Sequence, residues 1–349
     1  MFAIVQGHTL RNVTVVYPWL YSFHVPLCVL TSGIVFHVGQ KKFGTFLKEK
    51  FRALMIPYYC FALISIALYA ILGSKMEKTV EGGWYDVSPL QSVIGMLYAN
   101  SGTGLMRWNM PLWYIPMIFV LLLMAFWIFR SKDNLKWNIT VFLLSALVAF
   151  ILYEKIRLPN LPFGLETAIY MFPFFALGKV IGSVKGEFTR KSILVKIAVT
   201  VGCLAVGTFI TIGNGQVSYN ADSYGTHGFG YFLVMAIILC VGFVSLAMCF
   251  PNGVTPINYA GRNTVGIMVM HEFPILFFVG LFPISKKLIG TYPLVVSIMV
   301  AILSIGMCLA VSEVIYRVCP IALEKGKDKC KRKKFWCGKH WRQYLVVRK

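Results

Sequence analysis

From its first residues the chain is a succession of long apolar runs separated by short polar ones. Stretches of about 20 mostly apolar residues, the length a helix needs to cross a bilayer core, fall near 18–37, 54–73, 112–130, 137–153, 166–184, 194–213, 228–250, 264–283 and 293–316. Residues 1–17 read as the last part of a tenth, N-terminal helix. Between Met1 and His8 a helix rises only about 12 Å, against a core of about 30 Å. Either that helix extends through Val13–Tyr17, or a segment is lacking. The pattern predicts an all-α, polytopic integral membrane helix bundle of about ten transmembrane helices, the first truncated or short. Residues 1–316 form its transmembrane domain and 317–349 a basic, aromatic tail. No soluble domain, low-complexity linker or clear internal repeat is visible.

Composition agrees: 58% of the 349 residues are hydrophobic and 13% charged, about half the usual charged share. The nine cysteines include no Cys-x-x-Cys pair, and those inside apolar runs serve as small hydrophobes. Cys330, Cys337 and His340 have metal-ligand donor types but a spacing unlike a zinc site, so no metal is expected. No cleavable signal peptide is visible.

The net charge of +21 would point to nucleic acid in a soluble protein, but its distribution gives it another meaning. Alternate loops and the tail hold 24 of the 34 Lys and Arg residues, and the opposite loops hold eight. By the positive-inside rule both termini are cytoplasmic, if the first helix spans. In the tail, Lys329, Lys331, Arg332, Lys333 and Lys334 stand among Phe335, Trp336, Trp341 and Tyr344, a composition that lies on anionic lipid. The charge is thus accounted for by topology and the lipid bilayer, without nucleic acid. The outward loops, 81–86, 107–109 and 214–227, carry Gly, Asn, Tyr and Trp; they read as interfacial wet loops or as the mouth of a carbohydrate site.

Ionisable side chains stand out in so apolar a chain. A charged residue at the centre of a span costs roughly 2.5–3.5 kcal/mol on the insertion scale. His8 and, sixteen residues later, His24 in Phe23-His24-Val25-Pro26-Leu27 fall toward the outer half of the first two spans. An imidazole there suits proton abstraction from a hydroxyl, although interhelical hydrogen bonding would also explain each singly. His271-Glu272, in the ninth run, could orient an imidazole or relay protons. His37 and His227 lie at span ends and are not expected to be catalytic. The inner segment with Lys48, Lys50 and Arg52 is dense enough in charge to suit a phosphate-bearing ligand such as coenzyme A. Gly178…Gly182 reads as a helix-packing face. No phosphate loop, nucleophile elbow or His-Glu-x-x-His motif is present.

The order of motifs is more specific than any one of them: Gly7-His8-Thr9; Phe23-His24-Val25-Pro26-Leu27 with Ser32-Gly33; Arg52…Ile56-Pro57-Tyr58; Leu112-Trp113-Tyr114-Ile115-Pro116; Phe174-Phe175-Ala176-Leu177-Gly178; and Gly261-Arg262-Asn263-Thr264-Val265-Gly266-Ile267 leading to His271. This succession resembles the membrane acyltransferase 3 family, especially its sugar O-acetylase branch, which contains fucose 4-O-acetylases. The resemblance implies a multi-pass enzyme of the inner (plasma) membrane with no bound cofactor. Such an enzyme moves an acyl group, usually acetyl, from cytoplasmic acetyl-CoA to a hydroxyl of a cell-surface glycan or its lipid-linked precursor. It implies His8 and His24 as catalytic and Lys48, Lys50 and Arg52 as the donor-binding segment. Trp113, Arg262, Asn263, His271 and Glu272 then belong to the substrate pocket or its supports. The family commonly carries an arginine eleven residues before the first histidine, a position that would precede Met1, and the basic segment offers Lys48 and Arg52 in place of Arg-x-x-Arg. A proton-coupled transporter or flippase of a solute or lipid-linked sugar is the alternative.

Overall fold

The computed structural model describes residues 1–9, 16–76, 87–219, 222–250, 255–280 and 291–323. The expected loop at 81–86 and the tail from 324, with Cys330, Cys337 and His340, lie outside the described residues.

Among the described residues, eight helical stretches are long and apolar enough to cross a membrane: Val16–Val35, Phe43–Ile71, Met110–Phe129, Leu135–Ile156, Pro162–Arg190, Ile193–Asn214, Gly228–Ala247 and Pro293–Val318. They make an all-α bundle, and their outward rows are apolar as a bundle in hydrocarbon requires. Phe209 and Ile212 are each 77% exposed.

The chain opens with α1 (Phe2–Thr9), α2 (Val16–Tyr21) and α3 (His24–Val35). Residues 10–15, where the first helix was expected to extend, lie outside the described residues. Helices α2 and α3 share the first long stretch and are separated by a turn at Ser22 and Phe23. Pro26 accounts for that turn, because it has no N–H to give the Ser22 carbonyl. Next come α4 (Phe43–Lys50), a π-helical turn over Phe51–Met55 and α5 (Ile56–Met76). Pro57 cannot bond back to Ala53, and Ile56 N–H reaches the Phe51 carbonyl instead.

Then follow α6 (Pro89–Tyr98), α7 (Tyr114–Phe129), α8 (Leu135–Ile151), α9 (Leu165–Thr189), α10 (Ile193–Asn214) and α11 (Gly228–Ala247). Ser88 and Gln91 close a reciprocal capping box on α6, and Asn134 and Ser192 cap α8 and α10. The predicted span 264–283 is described as far as Gly280, and there it is interrupted once. After α12 (Thr255–Arg262) it divides into α13 (Thr264–Met270) and α14 (Glu272–Gly280) around His271, where Pro274 withholds an N–H from Met270. The last helix among the described residues is α15 (Pro293–Val318).

The tightest joint is the crossing of α3 and α9. A Cβ on Gly33 would run into the Phe175 carbonyl, and one on Gly178 into the Leu30 carbonyl. Gly182 also lies against Ile34, so the small-residue motif is a packing face as expected. Near one end of this joint Lys179, expected merely at a span end, is buried and donates to the Phe36 carbonyl at 2.9 Å and to Asp133 at 2.8 Å.

A two-stranded antiparallel hairpin, β1 (Val217–Ser218) and β2 (Ser223–Tyr224), joins α10 to α11, with Val217 opposite Tyr224. Asn214 Nδ2 donates to the Tyr224 carbonyl at 3.0 Å. Asp222 accepts from Thr167 and Tyr224, each at 3.2 Å. Glu166, buried beside Thr167, accepts from Asn100 Nδ2 at 2.5 Å and Leu161 N–H at 2.9 Å. Burial, with the Glu166 carboxylate next, pushes the Asp222 carboxyl up to about 7. The loop at 107–109, expected to be wet, is folded inward. Trp108 and Asn109 are buried, Trp108 Nε1 donating to the Leu105 carbonyl and Asn109 to Ser65 Oγ.

Candidate active site

His8 stands at the end of α1, where Thr9 Oγ1 and Ser297 Oγ of α15 share a hydrogen bond of 2.6 Å. Gly7 makes room beside it: a Cβ there would sit 3.1 Å from the Tyr21 ring. His24 is the first residue of α3 and is buried. Its Nδ1 lies 2.7 Å from the Leu20 carbonyl. A carbonyl only accepts, so Nδ1 carries the hydrogen and Nε2 is left with the lone pair. The turn imposed by Pro26 thus fixes the tautomer of the histidine two residues before it.

Both histidines line one cavity of about 270 Å³ together with Tyr17, Tyr21, Trp113, Tyr114, Ser218 and Tyr219. Tyr21 and Tyr219 pack edge-on to the His24 ring at 4.6 and 5.6 Å. Tyr219 stacks with Trp113 at 6.3 Å, and its hydroxyl donates to the Tyr21 carbonyl. The carboxylates at the base of the hairpin therefore act on the cavity indirectly, by holding the strand that delivers Ser218 and Tyr219. A space of this size, walled by aromatic faces and a few polar groups, is the lower end of a small-ligand site. It offers a nitrogen base, flat apolar faces and partial exclusion of water.

Behind His8 lies the helix break. The rings of His8 and His271 are 5.1 Å apart and inclined at 53°. One ligand-capable atom from each of His8, His271 and Glu272 falls within 4.8 Å of the others. His271 and Glu272 are buried and His8 half-buried. Trp113 thus lines the cavity and His271 and Glu272 back it, whereas Arg262 and Asn263 sit elsewhere. Arg262 ends α12 and is exposed. Asn263 Nδ2 donates to the Tyr259 carbonyl at 2.8 Å and its Oδ1 accepts from the Tyr316 hydroxyl at 3.0 Å, tying the start of α13 to α15.

The basic segment forms a separate, open groove of about 470 Å³, lined by Gly44, Leu47, Lys48, Phe51, Arg52 and Ile56. Lys48 and Arg52, four residues apart across the start of the π turn, share this face. Lys50 does not line it; its Nζ lies over the Phe46 ring at 5.4 Å. The groove is a pair of cations on an apolar floor.

Tyr114 stood in a quoted motif and Tyr219 in the outward loop 214–227, but neither they nor Tyr21 were named as site residues from the sequence. Their signal was faint, since tyrosines are numerous in this chain and their convergence depends on the hairpin.

A helix bundle of membrane-length helices with a histidine-lined cavity and a basic groove defines a class, a polytopic membrane protein. The family model described as an acyltransferase domain matches residues 1–317, and the chain belongs to that acyltransferase 3 family. No curated protein and no solved structure matches it.

Proposed function

We propose that this membrane acyltransferase is an acetyl-CoA-dependent O-acetyltransferase of the inner membrane, with both termini cytoplasmic, that modifies a hydroxyl of a cell-surface glycan or its lipid-linked precursor. The observation that carries the reading is the cavity itself, which joins two histidines to a wall of tyrosine and tryptophan. Aromatic faces suit the C–H face of a sugar, and a volume of about 270 Å³ suits one ring rather than an oligosaccharide.

In this reading Lys48 and Arg52 hold the phosphates of coenzyme A, and the apolar floor takes the adjoining arm. The thioester then passes along α3, whose twelve residues rise about 18 Å, to reach the histidines at its other end. His8 takes the proton of the acceptor hydroxyl as its oxygen attacks the thioester carbonyl. The carbon–sulfur bond breaks, the ester forms, and the protonated imidazole returns the proton to the departing thiolate. His24, with its tautomer fixed, presents Nε2 as an acceptor that orients the hydroxyl.

Radiolabelled acetyl-CoA added to membranes containing the protein tests this. Label should enter a glycan or lipid-linked sugar fraction. His8→Ala should cut that incorporation by at least about 10²-fold while the protein still inserts. Uptake of a solute without label transfer would mean a carrier instead, and undiminished labelling by His8→Ala would remove His8 from the mechanism.

A further inference from the structure

We propose that Glu272 and His271 are positioning residues for His8, Glu272 acting as the carboxylate that holds the imidazole in one tautomer and balances its charge once protonated. The inference rests on the reading of His8 as the base.

The argument begins with His271. Its Nδ1 faces two carbonyls, Ile267 at 3.0 Å and Met268 at 2.9 Å, so the ring hydrogen is on Nδ1 and Nε2 carries a lone pair. That nitrogen is fully buried and has no hydrogen-bond partner among the described residues. Next to it is the buried Glu272, which as a carboxylate also only accepts. Two acceptors thus stand beside a ring able to donate, that of His8, 5.1 Å from His271 by ring centroid and with a nitrogen inside the 4.8 Å cluster.

A neutral His8 that gives its N–H to this side turns its other nitrogen, with the lone pair, to the cavity. When the acceptor hydroxyl gives up its proton, the O–H bond breaks and a second N–H forms on His8. The imidazolium then stands against a carboxylate in a low-dielectric setting, where that pairing is strong. No proton passes to Glu272, as with the acidic member of a triad; the proton leaves His8 for the thiolate. The Ile267 carbonyl accepts both the His271 N–H at 2.9 Å and its ring N–H at 3.0 Å, so the imidazole is tied to the end of α13 just before the break that Pro274 sets.

The test uses the full-length chain reconstituted in lipid vesicles, in two arms. In the first, transfer from radiolabelled acetyl-CoA is followed as kcat and KM. Glu272→Gln should lower kcat by on the order of 10²–10⁴-fold with KM for acetyl-CoA little changed, and Glu272→Asp should recover part of the loss. A raised KM with kcat intact would overturn the proposal. In the second arm, ¹⁵N-histidine spectra need no catalysis. The His8 ring signals, identified by their loss in His8→Gln, should change tautomer or charge state in Glu272→Gln and in His271→Phe, while those of His24 stay put. Unchanged His8 signals would overturn the proposal. So would one equivalent of zinc in the purified protein that is lost in Glu272→Gln, since the cluster would then be a metal centre. If the unsubstituted protein transfers no label but the His8 signals respond, the acetyl-transfer reading fails and the positioning role stands.

Discussion

The histidine cavity and the basic groove are built on opposite plans. The cavity is lined by residues from five separated parts of the chain, from Ile4 to Met268, and its polar groups are anchored: His24 by the Leu20 carbonyl and Tyr219 by the Tyr21 carbonyl. The groove comes from one stretch of thirteen residues, 44–56, is open, and its cations Lys48 and Arg52 are held by little. Chemistry that moves a proton needs fixed atoms and little water, because a misplaced base loses rate steeply. Capture of a phosphate-bearing donor needs access and charge, which a short amphipathic segment supplies unaided. The difference teaches that substitutions in the first should act on turnover and in the second on donor affinity.

The largest effect should come from breaking the joint between the two. Gly178→Leu would drive a side chain into the Leu30 carbonyl, and overpacking of a backbone contact costs several times the roughly 1–3 kcal/mol of an ordinary core insertion only if nothing yields. Loss of folded protein on size-exclusion chromatography is expected, and a well-folded, active variant would show that α3 and α9 can part without harm. Next, His24→Ala should reduce kcat by about 10–10³-fold with little change in KM for acetyl-CoA; an effect confined to KM would move His24 from orientation of the acceptor to donor binding. The groove gives the converse. Lys48→Ala with Arg52→Ala should raise KM for acetyl-CoA by roughly tenfold and weaken its salt dependence, kcat holding, whereas Lys50→Ala should do little.

The smallest effect concerns the hairpin. Asp222 holds its proton up to about 7 in the fold against 3.8 ordinarily. Between those values the folded protein binds more protons than the unfolded chain, so this contribution to stability is full at low pH and falls as pH rises through about 7. Amide exchange over 217–224 should quicken between pH 5 and pH 8 beyond its intrinsic rise. Asp222→Asn, which keeps an oxygen for Thr167 and Tyr224, should remove that excess; an unaltered excess would point to another group, Glu166 first.

Much of the bundle was legible along the chain because hydrocarbon leaves few choices: twenty apolar residues in a row must become a helix that satisfies its own backbone. The break at His271 within the run 264–283 was illegible for a local reason. Hydropathy sums over 264–283 but is blind to what Pro274 does to a backbone hydrogen bond. The inward turn of Trp108 and Asn109 was illegible too, since Trp, Asn and Gly compose wet loops and folded ones alike. At the site, His8, His24 and Trp113 were visible as residues out of place or in a motif. Their aromatic company was not.

What the sequence determined by itself was the class of solvent, the number and rough bounds of most helices, and the histidines that such a solvent makes costly. Each of these follows from composition within a window of about one membrane thickness. Only the tertiary structure decided which histidines meet. His8 and His271 are 263 positions apart, and they approach because a glycine, a Thr9–Ser297 hydrogen bond and a proline-broken helix bring α1 against α14 and α15. Such a meeting depends on the packing of several helices at once, which no local stretch of sequence encodes.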